Sequence, residues 1–509
     1  MAGCPGESGD RGVQMSGETV PGLRREAVGL REVLFQSITA MAPAAAVAAS
    51  IPSGAAFAGG SLPLSVLIAL VACLFTASCV AELARQLPAA GSVTTYAAQG
   101  LHPTAGSLVG WGYVFVEALV PPLLLLQLGF TTAGTLHQEW SSYPDDLWWP
   151  WSLAGAAIIA VAGYFGVRAS ARFGTVLGVF EVLVFLVFAV WLIAKAGGGN
   201  TLSVFGTSHT AKGYEGVSGV FAGSVYTVLA FAGFEAAAPL AEETKDPRRT
   251  MHRAVLGAAL GIGLFYVLTT YAISVYFGPD RLGGFGASGA ASWEGVARAS
   301  FGLFWVLVFL AVVNSTIANA NACATVSTRT ALALARIKVF PRLFAHVHPR
   351  HRSPVAGVSA QCAVAVAAVL GLGLYYDPVT AFLLLATVIV TVVIGVYIVV
   401  NLACAGYFLR RRRELFKPVR HLIFPLLGIV AFVPALLTAA GLPVFDFVSE
   451  LTAPVSYAGP VVGVWMTAGV VVLIVLLRRH PGRIAETARV HLDETSSPTF
   501  GRAEPCSHE

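Results

Sequence analysis

Charge is scarce in this sequence. Asp, Glu, Lys and Arg make up 12% of the 509 residues, about half the share of a soluble domain. With 56% hydrophobic residues and a mean hydropathy of +0.74, the chain has too little charge to cover its apolar surface in water. That excludes a soluble enzyme, a disordered protein and a nucleic-acid binder. Cysteine is also scarce: there are 7, an odd number, and no CxxC pair. Cys73, Cys79, Cys323, Cys362 and Cys404 fall inside apolar runs, where a small apolar role fits better than a disulfide or a metal ligand. The short alternating segments of a β-barrel are missing. So are the HExxH, GxSxG and P-loop patterns, so the chain reads as a non-enzyme with no cofactor and no metal site. His346, His348 and His351 stand close together, but in a basic loop, which reads as solvated. What remains is an all-α integral membrane protein.

Apolar stretches long enough to cross a bilayer recur near 36–58, 62–84, 105–135, 150–167, 173–195, 216–241, 254–277, 301–328, 355–374, 379–408, 422–441 and 459–478. That makes twelve spans. Residues 1–32 and 481–509 are polar and read as disordered cytoplasmic tails. Residues 33–410 read as a ten-span core and 411–480 as two further spans. With the N-terminus in the cytoplasm, only Lys195, Lys212, Arg281 and Arg298 lie outside, and the other 28 of the 32 Lys and Arg lie inside. This asymmetry is the positive-inside pattern, and an even span count leaves both ends cytoplasmic. The run Arg410–Arg413 reads as an anchor that meets anionic lipid. Trp140, Trp148, Trp149 and Trp151 stand between the third and fourth spans, without Lys or Arg, as an outer aromatic belt.

Two spans carry breaks. The first holds Pro43 and Pro52, each without a backbone donor, with Ser50, Ser53 and Gly54 nearby. The sixth holds Gly233, Glu235 and Pro239 in mid-span. Interrupted segments at matching places in two halves point to a transporter site, and broken backbone is tolerated in a membrane where it lines a cavity. Ordinary proline kinks are the other reading. The first span runs in-to-out and the sixth out-to-in, so spans 1–5 and 6–10, about 36–196 and 215–409, fit two inverted repeats.

Ionisable groups inside spans are costly and often functional. Three lie well inside: Glu117 in the third span, Glu181 in the fifth and Glu235 at the sixth-span break. No Lys or Arg lies well inside a span to pair with them. Each is then protonated, bound to a cation or facing water, which suits a proton-coupled carrier or a cationic substrate. A neutral acid bonded to a neighbouring helix is the alternative. Glu82, at the end of the second span, reads as structural. In the eighth span Ser315 and Thr316, with Asn314, Asn319 and Asn321, either ligate an ion and line the substrate path or hold helices together.

Several local sequences resemble the amino acid–polyamine–organocation (APC) superfamily. Glu82-Leu-Ala-Arg-Gln-Leu-Pro88-Ala-Ala-Gly91-Ser92-Val-Thr-Thr-Tyr96 followed by Gly110-Trp111 is one. Phe231-Ala-Gly-Phe-Glu235 followed by Glu242-Glu-Thr-Lys-Asp-Pro247 is another. Ser327-Thr-Arg329 through Phe340-Pro341, then Phe344 and Val347-His-Pro-Arg350 to Ser353-Pro354, is the third. The resemblance covers about 33–480 and is nearest the bacterial permeases related to putrescine importers and broad amino-acid permeases. It implies a LeuT-like fold, with five-plus-five inverted repeats, discontinuous helices 1 and 6 and two extra helices. It implies secondary transport, usually proton-coupled or run as exchange. By position it places the substrate cradle at Pro43, Ala44, Ala45, Ala46, Val47 and Ala48, with Ala230, Phe231, Ala232 and Gly233. It makes Glu235 a gating or proton-sensing acid. Glu181 falls where several relatives carry a lysine, so the sign is reversed. The Gly-Ser-Gly triplet that many relatives carry at the first break corresponds here to Ala45-Ala46-Val47, and alanine and valine give up helix less readily than glycine.

The sequence thus reads as a proton-coupled amino-acid permease of the cytoplasmic membrane. Its partners are a small-molecule substrate, protons and the bilayer. A polyamine importer or an amino acid/amine exchanger is the rival within that class. A transporter-fold nutrient sensor is the rival outside it.

Overall fold

Long apolar runs in a medium without water must satisfy every backbone group internally, so they fold as helices. In the computed structural model the described residues, 29–87, 92–165, 171–236, 238, 244, 247–286, 292–336, 341–348, 351, 353–446 and 448–479, contain helices and no strand. The tails beyond them, Pro239 of the sixth-span break, residues 88–91 of the first motif, and residues 242–243 and 245–246 of the second lie outside the described residues. Ten segments are long and apolar enough to cross a membrane, and Trp149–Phe165 is a shorter apolar helix.

The principal helices are α1 Leu30–Met41, α2 Leu62–Gln86, α3 Ser92–Gly100, α4 Pro103–Glu139, α5 Trp149–Phe165, α6 Ala171–Ala196 and α7 Val217–Phe231. They continue with α8 Pro247–Phe277, α9 Trp293–Phe301, α10 Phe304–Arg336, α11 Val355–Tyr376, α12 Pro378–Arg410, α13 Phe424–Ala440 and α14 Ala458–Arg479. The predicted spans overlap these helices, the sixth only as far as Phe231. The first and second share one segment, Leu30–Gln86, which turns at Gly59–Ser61. That turn needs glycine: Gly59 has φ +51°, and a Cβ on Gly60 would sit 2.2 Å from the Pro279 carbonyl oxygen. The short helices α3 and α9 were not expected, since neither is long enough to read as a span.

Three details differ from the sequence reading. The first span does not break at Ala45-Ala46-Val47. The break is at Ala42, which is left-handed at φ 46° and ψ 64°. The cause is Pro43, which disfavours the α region for the residue before it. From Pro43 the chain is helical again, with a π-turn over Ala46–Ser50, so the alanines and Val47 keep helix as their propensity predicts. The sixth-span helix stops at Phe231, well before 241, and Gly233 takes φ +112°. Of the four tryptophans, Trp140, Trp149 and Trp151 are exposed, but Trp148 is buried against the flat face left by Gly373.

The helices pack so that the two breaks lie side by side. α2 packs along α8 and α7, and α4 runs along α10 and α12. Close contact is made by small residues, as at Gly54 against the Gly223 carbonyl, the usual device between helices in lipid. At one end of the bundle Glu82 of α2 meets basic side chains. It is nearly buried and accepts from Arg420 at 3.1 Å and Arg85 at 3.4 Å, with His252 and His421 at 3.9 and 4.0 Å.

Candidate functional site

The breaks meet through named atoms. Gly233 lies directly against the Ala40 backbone. The Ser37 hydroxyl donates to the Phe234 carbonyl at 2.8 Å. The Tyr266 hydroxyl of α8 lies 3.0 Å from the Met41 carbonyl and 3.1 Å from the Ala230 carbonyl. These are carbonyls that the interrupted helices leave without an intrahelical partner. One side chain therefore serves both broken ends. Tyr266→Phe removes that donor and leaves buried carbonyls unpaired, a loss of about 1–3 kcal/mol. We expect a lower thermal midpoint in detergent, and an unchanged midpoint would show that Tyr266 does not join the breaks.

A cavity of about 110 Å³ opens beside the breaks. Of the predicted cradle, Ala45, Ala46, Ala230, Ala232 and Gly233 line it. Pro43, Ala44, Val47, Ala48 and Phe231 are not in its lining and are buried in the packing around it. The reason is the helical backbone of 43–58, which turns only one face to the cavity. Gln127 of α4 also lines it and donates its amide to the Ala45 carbonyl at 2.8 Å.

Two of the three predicted acids line this cavity. Glu235 is buried. It accepts from the Tyr397 hydroxyl at 3.0 Å, from the Gly233 N–H at 3.2 Å and from the Tyr113 hydroxyl at 3.4 Å. Glu117 is buried on α4, and one of its carboxylate oxygens has no partner. Tyr113 stands against both acids, and the Cys323 thiol stands against Glu117. No Lys, Arg or His is among the lining residues.

The third acid stands apart. Glu181 on α6 is buried against Ser315 and Asn314 of α10, with one carboxylate oxygen unpartnered. None of Glu181, Ser315 and Thr316 lines the cavity. The Thr316 hydroxyl donates to the Val312 carbonyl of its own helix at 2.6 Å. Residues Pro43–Ala45, α6 and α10 pack together at this place, so Glu181 lies behind the first break and not in front of it.

Outside the cavity lining, Trp293 of α9, buried, donates its indole N–H to the Val47 carbonyl at 2.7 Å. Its ring is boxed in by Phe185, Phe188 and Phe285. Where α10 runs toward Arg336, the lining residues Gln36 and Val326 are exposed. Tyr113, Tyr266, Tyr397, Trp293 and Gln127 did not stand out in the sequence. A polar tip on an apolar body inside a span was the available signal.

The amino acid permease family model matches residues 32–480 of the chain. The low-affinity putrescine importer of Escherichia coli (strain K12) is 27% identical over 377 residues, covering 72% of this chain and 79% of that protein. An uncharacterized transporter of Mycobacterium tuberculosis is 29% identical over 342 residues, 66% of this chain and 71% of that protein. A branched-chain amino acid permease of Bacillus subtilis is 25% identical over 319 residues, 59% of this chain and 65% of that protein. A match across nearly the whole membrane part, on a bundle whose two broken helices meet at one cavity, places the chain: it belongs to the amino acid permease family, and it is a multi-pass membrane transporter, not an enzyme.

Proposed function

We propose that the protein is a secondary transporter that moves an amine-bearing organic cation, of the small diamine class, by alternating access. One observation carries this reading: Glu117 and Glu235 line the same cavity, and no basic residue lines it with them. A dication needs two negative partners in a dry site, because a lone buried charge is strongly disfavoured. The sequence reading put amino acids first, with a polyamine as the rival in the same class, and two acids on one cavity support the rival. The backbone donors that would hold a carboxylate are fewer than a broken helix usually offers. Pro43 has none, the Ala46 N–H is taken by the Ala42 carbonyl, and the Gly233 N–H is taken by Glu235. The putrescine importer among the relatives agrees with a diamine.

An amino acid is the second reading. It is favoured by Ala45, which lines the cavity in the first turn after the break, where N–H groups attract anions. In either case the proposed frame is twelve spans, with inverted repeats at about 36–196 and 215–409 and both ends in the cytoplasm. Glu181 with Ser315 is the proposed coupling site, binding a proton or a small cation in place of a fixed positive charge.

The test is uptake into proteoliposomes of radiolabelled 1,4-diaminobutane and of a neutral amino-acid panel, with and without a pH gradient. We expect gradient-dependent diamine accumulation that exceeds every neutral amino acid. Accumulation of a neutral amino acid that excess diamine does not compete would overturn the diamine assignment. Uptake indifferent to the pH gradient would remove proton coupling.

A further inference from the structure

Helix α4 carries a row of polar groups that nothing satisfies. Among the described residues, the Gln127 Oε1, Thr131 Oγ1 and Gln138 Nε2 atoms are buried without a hydrogen-bond partner. Steps of four and seven residues place all three on one face of the helix. The row starts at the substrate cavity, which Gln127 lines, and runs to the last turn of α4. Buried polar groups left without a partner are rare, because each has given up its bonds to water for nothing. Threonine in a helix usually returns its hydroxyl to its own backbone, as Thr316 does, but Thr131 does not.

The short helix α9 lies against the end of this row. Its Arg298 donates to the Gln138 carbonyl and pairs with Glu139 at 3.2 Å. One turn earlier on α9, Glu294 is 2% exposed, and its Oε1 has no partner among the described residues. Burial pushes its pKa up to about 7. The acid is not needed as a helix cap, since the Ser292 hydroxyl already accepts the Gly295 N–H at 3.2 Å. Arg298 is engaged by α4, so among the described residues Glu294 is a buried acid without a cationic partner. A buried acid in that position is costly, and a charge-bearing visitor is what would repay it.

The unmet groups say what kind of visitor. Glu294, Gln127 and Thr131 each present an oxygen that accepts, and the Gln138 nitrogen is the one atom limited to donating. A ligand built of donors therefore suits three of the four. A primary ammonium carries three N–H donors and a positive charge. A carboxylate has no donor and would meet Glu294 as a like charge.

We propose that Glu294 is a second substrate site, which takes one ammonium group of the diamine at the α9 end of α4 and passes it along the Gln127–Gln138 face to the cavity. This rests on the cationic-substrate reading above. With both chain ends in the cytoplasm, as proposed, this end of α4 is the outer one. In this shape α9 lies over the end of the row, with Trp293 bonded to the Val47 carbonyl, so the site fills when α9 shifts.

Uptake of labelled 1,4-diaminobutane by intact cells presents substrate at the outer end alone. Glu294→Gln removes the charge at nearly constant size. It is expected to raise KM about tenfold, the worth of one charge-assisted hydrogen bond, and to leave the maximal rate per folded transporter roughly unchanged. A lower maximal rate at the natural KM would mark a merely structural acid, and that result, or no change in either constant, would overturn the site. A second readout needs neither a variant nor transport. A hydrophobic carbodiimide adds to protonated buried carboxyls, and the adduct at Glu294 is counted by mass spectrometry in the natural chain in detergent. 1,4-Diaminobutane at about ten times its Kd is expected to suppress that adduct about tenfold, and sodium chloride of equal ionic strength is expected to leave it roughly unchanged. Equal suppression by both, or none by either, would remove the site. If cells take up no diamine, the reading of the substrate fails on its own, and the carbodiimide result still decides Glu294.

Discussion

Glu235→Gln is expected to lower diamine uptake about a hundredfold at equal expression. The carboxylate accepts from three donors at once, the Tyr397 and Tyr113 hydroxyls and the Gly233 N–H. An ionised carboxylate is an acceptor only, whereas a glutamine amide adds two donors of its own. The substitution therefore removes the charge that faces the substrate and turns an N–H group toward existing donors. Breaking one side of a buried charge pair costs about 3 kcal/mol, which sets the hundredfold figure. Glu235→Asp keeps the charge and should recover part of the rate. The measurement is initial uptake of labelled diamine in proteoliposomes. Uptake by Glu235→Gln within a few-fold of the natural chain would remove this acid from substrate binding.

Gly233→Ala is expected to be strongly damaging although it alters no side-chain charge. Gly233 has φ +112°, and an added Cβ would lie 2.7 Å from the Ala40 carbonyl carbon and oxygen. A side chain rarely adopts that backbone conformation, and the obstruction is backbone, which cannot swing away. Strain and overlap together amount to about 3 kcal/mol or more. We expect little folded transporter in detergent, with the remainder melting at lower temperature. Gly261→Ala is the control, since nothing lies within 4 Å of its added Cβ, and it should fold as well as the natural chain. If the two variants have the same midpoint, the close approach of the broken helices does not hold the fold together.

Much of this arrangement was legible in one dimension because the bilayer imposes it. Apolar run length marked the helices, closely for 379–408 against α12 at Pro378–Arg410 and less closely for 301–328 against α10 at Phe304–Arg336. Glu117, Glu181 and Glu235 stood out for want of a basic partner. Which of them share a cavity was not legible, since that depends on how α4, α6, α7 and α10 pack. The first break was misplaced although its signal was present. Alignment to a glycine triplet pointed to residues 45–47, while the local rule about the residue before Pro43 pointed to Ala42. The tyrosines and Trp293 were missed for a different reason. Tyr266 meets carbonyls 225 and 36 residues away, and Trp293 meets one 246 residues away, so no local pattern marks them. Short helices such as α9 escape any reading based on length.

The hydrogen bond from the Trp293 indole to the Val47 carbonyl ties the short helix α9 to the stretch that follows the first break. Any movement of that stretch must carry α9 with it or release this bond. A label on α9 would therefore report motion at the break without standing in the cavity.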